Sequence, residues 1–377
     1  MNFNFTEEQQ LLADTVQRFV REHYSFEHRR DIAASSQGWS RDAWNELAAL
    51  GLMALNVPEE HGGLGAGAVD TMLVMNALGA GLVLEPWLGA AVLTPALLMQ
   101  LGDAKVSADL FPVIATGEHI AIVAHQEPHT RGELEHVTTR AELGGDHYVL
   151  DGYKSVITHA GAADELLITA RTRGKTDDTD GISVFRVAPD SPGVTVSSYR
   201  TLDGQMAADI ELKAVRVETD RLLGTEGQAF PAIAAAHDIA MSALCAEAVG
   251  IMKAVNAATL DYTRSRKQFG QPIAKFQVLQ HRMADMFMQA EQATSMSYLA
   301  AIKCVDPDAR ERRRALSAAK VIIGQAGRFI AQQSIQLHGG MGMTDELMVS
   351  HHFKRLTAID LTFGDADFHL QRFAASA

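Results

Sequence analysis

Tyr148-Val-Leu-Asp151-Gly152-Tyr153-Lys-Ser-Val-Ile157 holds two short apolar runs on either side of Asp-Gly. Such runs flanking Asp-Gly predict a β-hairpin. Similar runs lie on both sides of it: Ile120–Val123, Leu166–Ile168, Ile182–Phe185, Val194–Val196 and Ile210–Leu212. Short strands at regular spacing predict a small β-barrel or sandwich. Outside this region the period becomes helical. Upstream, Thr6-Glu-Glu-Gln9 has the form of a capping box, and Leu12, Val16, Phe19 and Val20 share a helical face. Ser40 can cap a second helix carrying Trp44, Leu47 and Ala48, with Gly51 as its stop. Downstream, helical periodicity runs through 229–262 and 277–303, and Leu316, Ala319, Ile323, Ala326 and Ile330 recur at spacings of three and four. The expectation is an α+β multidomain chain: helical over 1–117, β over 118–226, helical over 227–377.

The 377 residues are 47% hydrophobic and 21% charged, ordinary for a globular chain with room for two or three domains. Lys plus Arg is 33 against 46 Asp plus Glu, a net charge of −13. That balance excludes a general nucleic-acid binder, which needs a basic face. Cys245 and Cys304 are the only cysteines, and both sit in apolar helical patterns, so neither a disulfide framework nor a metal cluster is expected. Asn76–Met99 is mostly apolar, but Glu85-Pro86 and Pro95 interrupt it. It reads as two buried helical pieces with a bend rather than a membrane span. Met1-Asn-Phe-Asn-Phe-Thr6 has no basic region before an apolar core, so no secretory signal is expected and the cytoplasm is the default location.

Gly63-Leu-Gly65-Ala-Gly67-Ala68 matches a dinucleotide fingerprint, but Pro58-Glu-Glu-His61 precedes it in place of a buried strand. A loop before a helix is the expected reading. His125, His129 and His136 lack metal-ligand spacing and are expected to hydrogen-bond or be solvated. Arg312-Arg-Arg314 is expected at a solvated helix start, and His351-His352 on a surface. Two stretches carry more. Arg264-Ser-Arg266-Lys-Gln268-Phe269-Gly270-Gln-Pro-Ile-Ala-Lys-Phe-Gln277 joins two helices. It is either a basic helix end followed by a Gly stop and a Pro restart, or an Arg held ready for a phosphate beside an aromatic. Gln336-Leu-His-Gly339-Gly340-Met-Gly342-Met343 follows a strong helix with glycines that allow close backbone approach.

In this order and on this helix–strand–helix frame, the two stretches resemble the acyl-CoA dehydrogenase family. Leu55-Asn-Val-Pro58-Glu-Glu-His-Gly62-Gly63-Leu-Gly65, Gly152-Tyr-Lys-Ser-Val-Ile-Thr158, and Asp209-Ile-Glu-Leu-Lys-Ala-Val-Arg-Val217 with Leu223-Gly224 are similar to further family segments. The resemblance covers essentially the whole chain. It implies an N-terminal α-domain, a central β-domain and a C-terminal four-helix bundle, usually assembled as a tetramer. It implies FAD, an acyl-CoA substrate, and electron-transferring flavoprotein as acceptor. A carboxylate removes the α-proton while hydride passes to flavin N5.

On the matching positions, the resemblance places Arg266 at the FAD pyrophosphate, with Gln268, Phe269 and Gln277 beside it. It places Gln336 and Gly340 at the cofactor across the dimer, and Thr158 as a donor near the flavin edge. The family's base is a Glu just before the last helix. Here that loop reads Asp360-Leu-Thr-Phe363-Gly364-Asp365-Ala366-Asp367. Counting forward from Arg355 puts Gly364 at the base; counting back from Gln371-Arg372 puts Asp365 there. The candidate base is Asp365 or is absent. An alternative family position, on the first C-terminal helix, is Ala240, and the neighbouring Arg is Met241. Asp238 points to another helix face. The flavin-side loop, Ala124-His-Gln-Glu127-Pro128-His-Thr-Arg131, keeps Glu-Pro but not the rest, and the strand's Trp is Val156. Leu82-Val-Leu-Glu85-Pro86-Trp-Leu-Gly89 and the Phe-Gly-Asp-Ala-Asp ending resemble the small-subunit type, which pairs with a second acyl-CoA dehydrogenase as in pimeloyl-CoA dehydrogenase. The alternatives are a silent FAD- or acyl-CoA-binding subunit and a flavin oxidase or monooxygenase on the same fold.

Overall fold

The computed structural model describes residues 5–130 and 132–376. Met1–Asn4 of the N-terminal reading and Arg131 of the flavin-side loop lie outside the described residues. The strands are β1 (Ala121–Ala124), β2 (Arg140–Leu143), β3 (His147–Thr158), β4 (Glu165–Arg171), β5 (Ile182–Val187), β6 (Val194–Arg200), β7 (Met206–Glu218), β8 (Leu222–Leu223), β9 (Lys267–Gln268) and β10 (Gln271–Pro272). The helices are α1 (Glu7–His23), α2 (Phe26–Ala34), α3 (Arg41–Ala49), α4 (Ala68–Ala80), α5 (Thr94–Leu101), α6 (Ala104–Ala115), α7 (Phe230–Ser265), α8 (Gln277–Lys303), α9 (Ala309–His338), α10 (Met348–Leu361) and α11 (Ala366–Ala375). Packing divides the chain into two compact units. One holds 1–31, 68–83 and 241–377; the other holds 32–67 and 84–240.

In the second unit the first eight strands form one sheet, in the order β6-β7-β3-β2-β4-β5-β8 with β1 parallel to β4. β4 is buried along its whole length, as its Leu-Leu-Ile run requires. The Asp151-Gly152 hairpin is not there. β3 runs straight through the dipeptide for 12 residues. The irregularity is a β-bulge on the partner strand instead: between the pairs Leu150/Val215 and Gly152/Leu212, Lys213 and Ala214 of β7 face the single residue Asp151. Asp151 accepts from the backbone N of Ala214 at 2.8 Å, and Ala214 takes the left-handed conformation at φ 48°. Gly152 is needed for space, because a Cβ there would lie 2.5 Å from Thr139 Oγ1 and 2.7 Å from its Cα. Asp-Gly here serves a bulge on its neighbour: the Asp151 carboxylate holds the bulged Ala214, and Gly152 leaves room for Thr139. Gly152→Ala is expected to destabilise the protein by about 1–3 kcal/mol through overpacking, measured by denaturant unfolding.

The helical readings hold where caps and stripes carried them. Thr6 and Gln9 form the reciprocal capping box, and Val16 and Phe19 are buried. Ser40 caps α3, which buries Trp44 and Leu47, and Gly51 follows at φ 77°. Asn76–Met99 divides between α4 and a π-turn leading into α5, with Pro95 near the α5 start. In the first unit, α4 and α7 touch backbone to backbone: a Cβ on Gly250 would meet Asn76 O at 1.9 Å, and one on Gly79 would meet Glu247 O at 2.4 Å. α7 is long and apolar enough to cross a membrane by length and composition, but 83% of its most apolar window is buried in the protein, as in a core helix. The α9 stripe from Leu316 to Ile330 is buried throughout. Gly63 sits in a loop before α4, close against Val57 O. Cys245 and Cys304 are free and buried. One surface expectation fails: His352 is buried within α10, because its side of the helix is the apolar side that also carries Val349, Leu356 and Ile359. Burial pushes its pKa down to about 3.

Candidate active site

β3 carries the first candidate residue and an ion pair beneath it. Glu127 and Lys154 are both fully buried, with Lys154 Nζ 2.6 Å from Glu127 Oε1. Nζ also donates to His125 O and Thr169 Oγ1. The Glu127 carboxylate accepts from the backbone N and hydroxyl of both Thr138 and Thr139. Burial alone would raise the Glu127 pKa, but the Lys154 charge and these hydrogen bonds hold it at about 2. His125 is buried beside this pair with Nδ1 3.0 Å from Thr169 Oγ1, and His136 lies 2.6 Å from Asp177. Among the described residues no three His, Cys, Asp or Glu side chains group as metal ligands. Thr158 ends β3 and is exposed. The residues around it are unusual: Val156 has φ 55° and His159 φ 60°.

In the other unit, the stretch after α7 is more than a stop and a restart. β9 and β10 form a two-residue hairpin whose turn is Phe269-Gly270, at φ 54° and 78°. Positive φ at both turn positions is the geometry of a type I′ turn. It leaves Phe269 91% exposed, against the Phe276 ring at 6.0 Å. Ile273 N donates to Arg266 O and closes the base of the hairpin. Arg266, Gln268, Phe269 and Gln277 therefore share one local structure. None of the three polar side chains makes a hydrogen bond or ion pair to a described residue, and all are exposed. Tyr262 OH donates to His338 O at 3.2 Å and the two rings stack at 4.3 Å, which ties the end of α7 to the end of α9. Gln336 and Gly340 flank that contact and are exposed. A Cβ on Gly340 would meet nothing within 4 Å, so the packing of this chain does not require that glycine.

Asp365 is the N-cap of α11, accepting from Phe368 N at 2.8 Å. The loop before it is held from behind by side chains that sequence reading did not single out. Lys320, fully buried on α9, donates from Nζ to the carbonyls of Ile359, Asp360 and Gly364 at 2.9, 2.9 and 2.8 Å. Its signal was a lysine inside the apolar stripe, four residues after Leu316 and three before Ile323. His369 Nε2 donates to Phe363 O at 2.9 Å while Nδ1 faces Ser317 Oγ at 3.2 Å. Burial lowers the His369 pKa to about 3, which keeps the ring neutral. Gly364 stands at φ 93°, and a Cβ there would lie 2.4 Å from the Phe368 ring. Of the carboxylates in this stretch, Asp360 accepts from Arg328, Asp367 is exposed in the first turn of α11, and Asp365 caps that helix. Thr158 belongs to the second compact unit, and Asp365 and the hairpin residues to the first.

The acyl-CoA dehydrogenase N-terminal, middle and C-terminal domains match residues 6–118, 123–215 and 233–377. The probable acyl-CoA dehydrogenase FadE25 of Mycobacterium bovis is 30% identical over 319 residues, covering 82% of this chain and 80% of its own. A solved FAD-dependent dehydrogenase is similar over 100% of this chain and 99% of its own, at 28% identity and TM-score 0.87. The ChsE4–ChsE5 complex from Mycobacterium tuberculosis is similar over 100% of this chain and 98% of its own, at 25% identity and TM-score 0.88. The hairpin donors, the open strand end and the capped carboxylate thus sit on a chain that belongs to the acyl-CoA dehydrogenase family of FAD-dependent oxidoreductases.

Proposed function

We propose that this chain dehydrogenates an acyl-CoA thioester at the α,β carbons, with Asp365 as the base and FAD held by the hairpin after α7. The observation that carries the reading is the hairpin itself. It presents a guanidinium and amide groups that make no side-chain hydrogen bond or ion pair to another described residue, beside an exposed phenyl ring. That donor set fits FAD, whose pyrophosphate suits a bidentate guanidinium. FAD, when bound, supplies the hydride acceptor. Arg266 neutralises the pyrophosphate; Gln268, Phe269 and Gln277 line the same region. Gln336 and Gly340 extend it, meeting the cofactor of a neighbouring subunit. Thr158 donates from the strand end to the flavin edge. Asp365 keeps one carboxylate oxygen on Phe368 N and leaves the other to accept the α-proton.

Relatives of this chain work in oligomeric or heteromeric assemblies, as the ChsE4–ChsE5 complex does. For this chain the finer reading is a homotetramer, or a heterotetramer with a second acyl-CoA dehydrogenase subunit, passing electrons to electron-transferring flavoprotein in the cytoplasm. The functional division in this reading is 1–117, 118–226 and 227–377. Arg266→Ala is expected to weaken FAD binding about ten- to a hundredfold, the cost of a charge-assisted contact. Titration of FAD-stripped protein measures it. Unchanged affinity would remove Arg266, and with it the hairpin, from the cofactor site.

A further inference from the structure

We infer that Asp209 is a positioning residue that sets the conformation of the strand end presenting Thr158. The inference rests on the reading that flavin docks at that strand end. Thr158 lies between two left-handed residues, Val156 and His159. A β-branched residue at positive φ is a strained outlier that persists only where its surroundings over-determine it. Here they do. The register of β3 against β7 shifts between Lys154 and Ile157, so the chain bulges at Ser155-Val156. The Asp209 carboxylate, on the neighbouring strand, accepts the backbone N of Val156 at 2.9 Å. Two phenols brace that carboxylate: Tyr199 OH on the same oxygen at 2.9 Å and Tyr153 OH on the other at 2.8 Å. Ser155 N donates to Gln126 O at 2.9 Å and fixes the other side of the bulge. Beyond Thr158, His159 N donates to Met206 O, and its Nε2 donates to Leu84 O at 2.8 Å. The Thr158 hydroxyl itself has no partner among the described residues; it is exposed and aimed by its neighbours.

A regular strand would place Val156 at negative φ and pair it directly with β7. The strained alternative turns the exposed Val156 side chain and the Thr158 hydroxyl outward together. Tyr199 and Thr158 pair with the same residue, the buried Ala207, from opposite sides, so two exposed residues flank it with Asp209 two positions along β7.

The test compares wild type with Asp209→Ala, Asp209→Asn and the double variant Asp209→Ala/Val156→Gly. Three quantities are read: FAD dissociation constant, midpoint potential of the bound flavin, and unfolding temperature of the FAD-free protein. Asp209→Ala is expected to raise the dissociation constant about tenfold as Val156 relaxes out of its strained conformation, and to displace the potential. Asp209→Asn, which still offers Val156 an acceptor, gives a smaller change. Val156→Gly in the Asp209→Ala background recovers part of the affinity, since glycine adopts positive φ freely. A lower unfolding temperature with affinity and potential unchanged overturns the inference and leaves Asp209 a purely structural residue. If Asp209→Ala does not fold, Tyr199→Phe carries the comparison: an expected rise of about threefold in the dissociation constant, with no change in affinity or potential overturning it. Wild type that binds no FAD overturns the flavin reading itself, and this inference with it.

Discussion

Asp365→Asn is expected to slow reduction of the flavin by acyl-CoA by about 10²–10⁴-fold, the usual contribution of a positioned general base, while the unfolding temperature barely moves. The two effects separate because Asp365 has two jobs. It caps α11 through Phe368 N, and Asn caps a helix as well as Asp does. Asn cannot accept the α-proton. Asp365→Ala removes both, so it adds a loss of about 1 kcal/mol of stability to the loss of rate. Stopped-flow reduction on FAD-loaded protein, beside a thermal melt, checks both. Undiminished reduction by the Asn variant would strike Asp365 from the mechanism.

The second large effect lies under the flavin-side strand. Glu127→Ala is expected to destabilise the protein by about 3–5 kcal/mol, because it leaves the Lys154 ammonium buried without its counter-charge. Lys154 has no exposure through which water could take over. Glu127→Ala with Lys154→Met removes both charges and should restore much of that loss. Equilibrium unfolding in urea measures the cycle; additive single and double effects would contradict the coupling. The pair also sets an acid limit. Glu127 titrates at about 2 when folded, against the ordinary glutamate value of 4.5. A depressed folded pKa gives stability that is complete above the unfolded value and lost as pH falls through the folded one. The loss therefore falls between about pH 4.5 and 2, and amounts to about 3 kcal/mol at full effect.

What was legible follows from what each signal depends on. Caps and stripes depend on local geometry alone, so Thr6, Ser40 and the Leu316–Ile330 stripe read correctly. Asp151-Gly152 does not form a turn because its side chain and its lack of one serve neighbours distant in sequence, the bulged Ala214 of β7 and Thr139, which local sequence cannot show. His352 misled because polarity was taken as exposure, when its helix face is otherwise apolar. The hairpin after α7 went unseen because two-residue strands carry no periodicity; its glycine was read as a stop. The site residues on that hairpin were visible only as a motif. The groups that hold the Asp365 loop and the Thr158 strand end were not visible, because Lys320, Asp209 and His159 act on backbone atoms brought near by the fold.

The most direct test is an anaerobic titration of the purified FAD-bound chain, by itself, with a panel of acyl-CoA thioesters. Progressive bleaching of the oxidised flavin by at least one thioester is the predicted result, and the best substrate defines the acyl class. Bound FAD that no thioester bleaches would contradict dehydrogenation by this chain and return the base to a partner subunit.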